Sequence, residues 1–195
     1  YKTIMIKNKQ FTMTFVDPTE LSFNNLENII SMEYYFSKMN LKIKIKDDCV
    51  YLPAQDNLDI FSINLSGCDS ILDLNNDAFY TLPLNGNTRG GKRFIFQSKA
   101  LSNNLTKVVK RIQKKYKHFN NFHHVNTVFR LNKFKPNDDK FDYHYDTPFY
   151  DSKHKYYSKY TMVIYLTKGT SISDNEPILC VKGNKTTAKI KNVNM

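Results

Sequence analysis

Arg130-Leu-Asn-Lys-Phe-Lys-Pro-Asn-Asp-Asp-Lys-Phe-Asp-Tyr-His-Tyr-Asp146, followed after a polar loop by Tyr160-Thr-Met-Val-Ile-Tyr-Leu-Thr167, is the most informative passage of the chain. Residues 160–166 form its most strongly apolar and β-branched run, which predicts a buried central strand. Residues 125–134 and 141–146 predict two further strands, and residues 177–182 and 186–193 two more across a Gly183-Asn184 turn. On a strand, side chains at i and i+2 share a face. His144 and Asp146 are therefore expected to converge, with Tyr160, Met162 and Ile164 lining the neighbouring strand.

Upstream of this β-rich region lies a predicted helix over residues 98–118, capped by Ser98. Leu101, Leu105, Val108, Val109, Ile112 and Tyr116 form its apolar stripe. Lys107, Lys110, Arg111, Lys114, Lys115 and Lys117 cover the other side. A solvated face, with cations favoured near the helix C-terminus, weighs more here than a phosphate-binding patch, because no aromatic stacking platform is interleaved with the lysines. Residues 73–93 are turn-rich and mark the candidate domain boundary. Gly90-Gly91 lacks the pattern of a phosphate loop.

The first part of the chain predicts a hairpin over residues 1–7 and 11–16, and a helix opened by Asp17-Pro18-Thr19. Strands over residues 41–45 and 50–52 follow. Residues 1–75 thus read as a small α+β N-terminal module with the element order of a β-grasp. Residues 76–195 read as a second unit. The fold class is α+β.

Composition narrows the function. The chain has 195 residues and a formal net charge of +11, and 41% of it is hydrophobic, enough to build a packed core. No run approaches the roughly 20 apolar residues of a membrane span. Cys49, Cys68 and Cys180 are too far apart in sequence for a disulfide framework or a cysteine zinc site, and a reducing, cytoplasmic compartment is the simpler expectation. Heavy use of Lys, Asn, Ile and Tyr has the look of AT-rich coding, which weakens the step from net charge to nucleic acid. The first residue is Tyr1 rather than Met, so the translated N-terminus is expected to lie upstream.

A His and a carboxylate on one face supply two ligands of a facial triad, which leaves open positions on a non-haem iron. His-x-Asp alone is common, and a surface His beside an Asp is its usual meaning. Its surroundings make it more specific. Phe134, Pro136 and Phe141 before His144-Tyr145-Asp146 resemble the signature of the prolyl 4-hydroxylase-like branch of 2-oxoglutarate/Fe(II) dioxygenases. Asn137-Asp138 stands where that family usually has Gly. Tyr160 to Thr167 resembles its next strand, with Thr167 at the position of a common Asn, and Gly169 follows without the family's paired Gly. The resemblance spans about residues 98–193 and is specific over residues 130–167.

The resemblance implies a double-stranded β-helix (jelly-roll) core, of which residues 76–195 would be the N-terminal part. It implies Fe(II) on His144 and Asp146, 2-oxoglutarate as co-substrate, ascorbate as reductant, and a protein or peptide substrate hydroxylated at a side chain. Tyr160 is placed to donate its hydroxyl to a 2-oxoglutarate carboxylate, or is a half-buried strand tyrosine. Arg130 pairs either with substrate or with an acidic neighbour. The family's second His and its basic 2-oxoglutarate anchor would lie past Met195. About five strands follow Val125, against about eight in a closed jelly roll. Either the chain continues beyond Met195 or the fold is degenerate, and the missing initial Met favours a longer chain. His154, eight residues past Asp146 in a polar loop, is a poor third ligand. His123 and His124 precede an adjacent strand, but these and His118 read first as surface histidines.

Two other functions stay open. One is a catalytically silent binding protein on the same fold, which suits the missing ligand and anchor. The other is a basic nucleic-acid-binding module, for which the charge and the lysine-rich helix face speak.

Overall fold

The computed structural model describes residues 2–6, 9–13, 41–47, 49–53, 59–72, 90–135, 148–167, 178–182 and 187–191, with single positions 77, 80, 82, 138, 144 and 146. Its organising unit is a strand, a cap and a helix in immediate succession. Strand β7 (Lys92–Gln97) alternates, and buries Phe94 and Phe96. Ser98 then takes an extended backbone, and its Oγ accepts a hydrogen bond from the Leu101 N–H at 3.1 Å. Helix α2 (Lys99–Gln113) starts at the next residue. One serine thus ends a period-two pattern and starts a period-3.6 one, because its side chain takes up an N–H that the first helical turn leaves unpaired.

The helix buries Leu101, Leu105, Val108, Val109 and Ile112, as its stripe predicts. It stops before residue 118. A short 3₁₀ turn, Lys117–Phe119, follows, and Tyr116 lies between the two with its hydroxyl donated to the Cys49 carbonyl at 2.7 Å. Two further bonds hold α2 in place. Ser102 Oγ donates to the Val125 carbonyl, and the Val125 N–H donates to Thr106 Oγ1.

Strand β8 (Val128–Lys133) runs antiparallel to β7, with Phe94 opposite Leu131 and Phe96 opposite Phe129. At the open end of this pair Gly91 sits at φ +58°, and a Cβ there would fall 2.5 Å from the Lys133 carbonyl oxygen. A left-handed backbone against a neighbouring carbonyl is a position that only glycine fills without strain. Strand β7 lies at the edge of the turn-rich stretch, and the charged Lys92-Arg93 beside Gly90-Gly91 hid it from the sequence reading.

The remaining described strands are also antiparallel pairs. Hairpin β1 (Lys2–Ile6) with β2 (Lys9–Met13) falls where one is predicted, with its second strand starting at Lys9, two residues before the expected 11–16. The pair β11 (Ile178–Lys182) and β12 (Thr187–Lys191) matches the hairpin predicted across Gly183-Asn184. Strand β4 (Val50–Pro53) pairs with β5 (Asp59–Ser62), β3 (Lys44–Ile45) with β6 (Leu65–Ser66), and β9 (Tyr150–Asp151) with β10 (Tyr156–Tyr157). A four-residue helix α1 (Asp69–Leu72) contributes the buried Ile71. Among the described residues every sheet is two-stranded. The predicted helix after Pro18 lies outside the described residues.

The core draws on both sides of residue 75. Ile43, Cys49 and Ile71 join Phe94, Phe96, Phe119 and the α2 stripe in one cluster. Asn104 Nδ2 reinforces the join by donating to the Leu41 carbonyl at 2.7 Å.

One central prediction is corrected. Residues 160–166 are not a strand, although Tyr160, Ile164 and Leu166 pack against the core. Apolar β-branched composition favours burial, and here it is met only in part: Tyr160, Ile164 and Leu166 are half-buried, while Met162 and Val163 are exposed. A strand also requires a ladder partner, which composition does not specify. His144 and Asp146 likewise lie in no strand, and residues 141–143 and 145 are outside the described residues.

Candidate functional site

His144 and Asp146 do converge, without a strand to align them. Nε2 of His144 is 3.4 Å from Oδ1 of Asp146, with about half of the carboxylate side chain exposed. Asp146 Oδ2 accepts a hydrogen bond of 2.5 Å from the Thr161 hydroxyl. The apolar segment therefore does run beside the His-x-Asp pair, as the sequence predicts, but with the opposite parity. Thr161 faces the carboxylate, while Tyr160 and Ile164 turn to the core. Met162 and Val163, between these core contacts, are exposed.

Tyr160 is accordingly committed elsewhere. Its hydroxyl donates to Asp59 Oδ2 at 3.2 Å, and its ring packs on Phe119. The same carboxylate accepts from the Tyr51 hydroxyl at 2.9 Å on Oδ1, and His118 Nε2 approaches that oxygen at 3.6 Å. Burial first, and then the Asp59 charge, push the Tyr160 hydroxyl above its ordinary pKa. For Tyr51 the hydrogen bond to Asp59 is the larger cause of an upward shift. Both phenols are held protonated as donors, because ionisation would set a phenolate against a carboxylate. Two tyrosines and a histidine around one aspartate form a cluster that sequence reasoning missed. Asp59 and Tyr160 are 101 positions apart, and no local pattern links them.

The other histidines form a third group. His154 Nδ1 lies 2.8 Å from Asp151 Oδ2, and the backbone N–H groups of Lys153 and His154 donate to Oδ1 of the same carboxylate. The His154 contact holds the Asp151 carboxyl below its usual range. The His123 and Tyr156 rings stack with centroids 4.2 Å apart, and the Tyr156 hydroxyl meets His123 Nε2 at 2.9 Å. His124 Nδ1 is 2.8 Å from His123 Nδ1. Burial, and then the charge of His123, push the His124 pKa down. The structure thus places His154 on Asp151, and His123 on Tyr156 and His124.

A facial iron site asks for three donors. Donors about 2.1 Å from an octahedral ion and mutually cis lie about 3 Å apart. A His144–Asp146 separation of 3.4 Å meets that requirement for two of them after a small adjustment. Among the described residues no group of three or more His, Cys, Asp or Glu side chains is arranged to hold a metal ion. The Cys68 thiol is pushed up by burial and by Asp69, which makes it a poor nucleophile.

No family model, no curated protein and no solved structure matches this chain. Among the described residues no helix is long and apolar enough to cross a membrane.

Proposed function

We propose that the chain carries the His-x-Asp part of an Fe(II)/2-oxoglutarate-dependent hydroxylase of the prolyl 4-hydroxylase-like kind, on a double-stranded β-helix, acting on a protein side chain. The observation that carries the reading is the approach of His144 Nε2 to Asp146 Oδ1 at 3.4 Å on a partly exposed surface. Iron bound there would supply oxidative decarboxylation of 2-oxoglutarate coupled to hydroxylation of a C–H bond. His144 and Asp146 would be its ligands, and ascorbate the reductant. Thr161, by donating to Oδ2 of Asp146, orients the carboxylate and leaves Oδ1 toward the imidazole. Hydrogen bonds of this kind to a ligating carboxylate tune metal affinity.

The test is metal binding. Mn(II), a redox-silent substitute for Fe(II), should bind with water-proton relaxation that reports an open coordination sphere. His144→Ala should abolish that binding. Unchanged affinity in the variant rules out the site.

A second reading has one specific observation in its favour. Of the two readings of Tyr160, a co-substrate donor or a half-buried tyrosine, its hydroxyl follows the second and is donated to Asp59. A binding protein on the same scaffold without turnover accommodates that arrangement. Succinate release from 2-oxoglutarate in the presence of Fe(II) and ascorbate separates the two: turnover supports the hydroxylase, and metal binding without turnover supports the silent protein.

A further inference from the structure

The positive charge of this chain is confined to one part of it. Between Ala78 and Asn137 there are 13 Lys and Arg residues and no Asp or Glu in 60 positions. The remainder carries 16 cations against 18 acids. The entire net charge of +11 therefore resides in the segment that contains β7, α2 and β8. A general lysine bias enriches a whole chain and leaves its acidic residues in place. It does not account for an acid-free run of this length.

The fold turns that run into a surface. Lys107, Lys110 and Arg111 of α2 and Lys114, which caps its C-terminus, are all exposed at i, i+3, i+4 and i+7 spacing. That spacing makes one row of about 10 Å along the helix. Leu101, Leu105, Val108, Val109 and Ile112, all buried, occupy the opposite side. Among the described residues none of these four cations joins an ion pair, and the Asp59, Asp77, Asp146 and Asp151 carboxylates are engaged elsewhere. Like charges at i,i+4 repel, so the row is held at a cost that a polyanion would relieve.

We infer that this face of α2 binds the phosphate backbone of duplex nucleic acid, without reading its sequence. Three features select that occupant. A helix that binds a membrane surface inserts its apolar face, and here that face is sealed in the core. A protein partner needs an aromatic or aliphatic anchor at the centre of its interface, and the row contains only cations. Single strands are gripped by aromatic side chains between the cations, and α2 has none in its row. What remains is a line of point charges suited to phosphates. The inference stands independently of whether His144 and Asp146 hold iron.

The experiment is fluorescence anisotropy of the full chain with a labelled duplex of about 20 base pairs, titrated between about 50 and 200 mM salt. Wild-type protein should bind, with log K falling linearly in log salt. K107Q/K110Q/K114Q should bind more than tenfold more weakly at low salt, with the slope reduced by about 3. K153Q/K155Q/K159Q removes the same charge from exposed lysines outside the segment and should keep the wild-type slope. K107R/K110R/K114R should bind as wild type. Equal weakening in the two Gln triples would reduce the effect to net charge and overturn the inference. So would wild-type affinity in K107Q/K110Q/K114Q, loss of binding in the Arg triple, or failure to bind duplex while binding phosphatidylserine vesicles.

Discussion

Ser98→Ala is the sharpest probe of how the central unit is held. Ser98 is fully buried and Leu101, whose N–H it accepts, is only 1% exposed. Removing an N-cap oxygen ordinarily costs about 1 kcal/mol, within a range of roughly 0.5 to 2, and water often replaces it. Water has no route here, so the Leu101 N–H would be left unpaired, a penalty of about 1 to 3 kcal/mol. The expected loss is about 2 kcal/mol, at the upper end of the capping range. In a chain of this length that lowers Tm by roughly 4 to 8 °C. Urea unfolding followed by circular dichroism should show a lower midpoint with an unchanged m-value. Ser98→Gly is the discriminating partner. At a solvated cap Gly costs only a few tenths of a kcal/mol relative to Ser, whereas a dry cap makes Gly nearly as damaging as Ala. If Ser98→Gly unfolds within about 0.3 kcal/mol of the wild type, the N–H is being solvated and the burial argument fails.

Further outcomes follow from the same packing. Leu105→Ala opens a cavity at a side chain that is 1% exposed, and should cost about 2 to 5 kcal/mol in the same unfolding assay; a loss below 1 would mean the core collapses around it. Asp59→Asn removes the charge that helps raise the Tyr51 and Tyr160 pKa values, so phenolate absorbance should appear at lower pH than in the wild type. Because those folded-state values lie above the unfolded ones, their stabilisation is complete below about pH 10 and is lost as pH rises through the folded-state pKa values. An alkaline unfolding midpoint identical in wild type and Asp59→Asn would contradict the cluster. Thr161→Val deletes the donor to Asp146 and should weaken Mn(II) binding by about 10- to 100-fold with little change in Tm; undiminished affinity would show that Thr161 does not orient the carboxylate.

What could be read from the residues was what neighbours in sequence settle between themselves. The Ser98 cap, the buried stripe of α2 and the hairpins β1–β2 and β11–β12 rest on periods of 3.6 and two and on turns a few residues long. The nearness of residues 160–167 to His144 and Asp146 was also legible, through the resemblance to a dioxygenase signature. Which side chain of that segment meets Asp146 was not. A one-residue change of parity exchanges Tyr160 for Thr161, and parity in an extended segment is set by what the rest of the chain offers for burial. The Asp59 cluster was equally out of reach. It depends on Tyr51, His118 and Tyr160 arriving at one carboxylate from three distant stretches, and that meeting comes from closing a core which runs from Ile43 to Leu166. The charge of α2 divides in the same way: its lysines are plain in the sequence, but their alignment in one exposed row follows from the helix burying its other face.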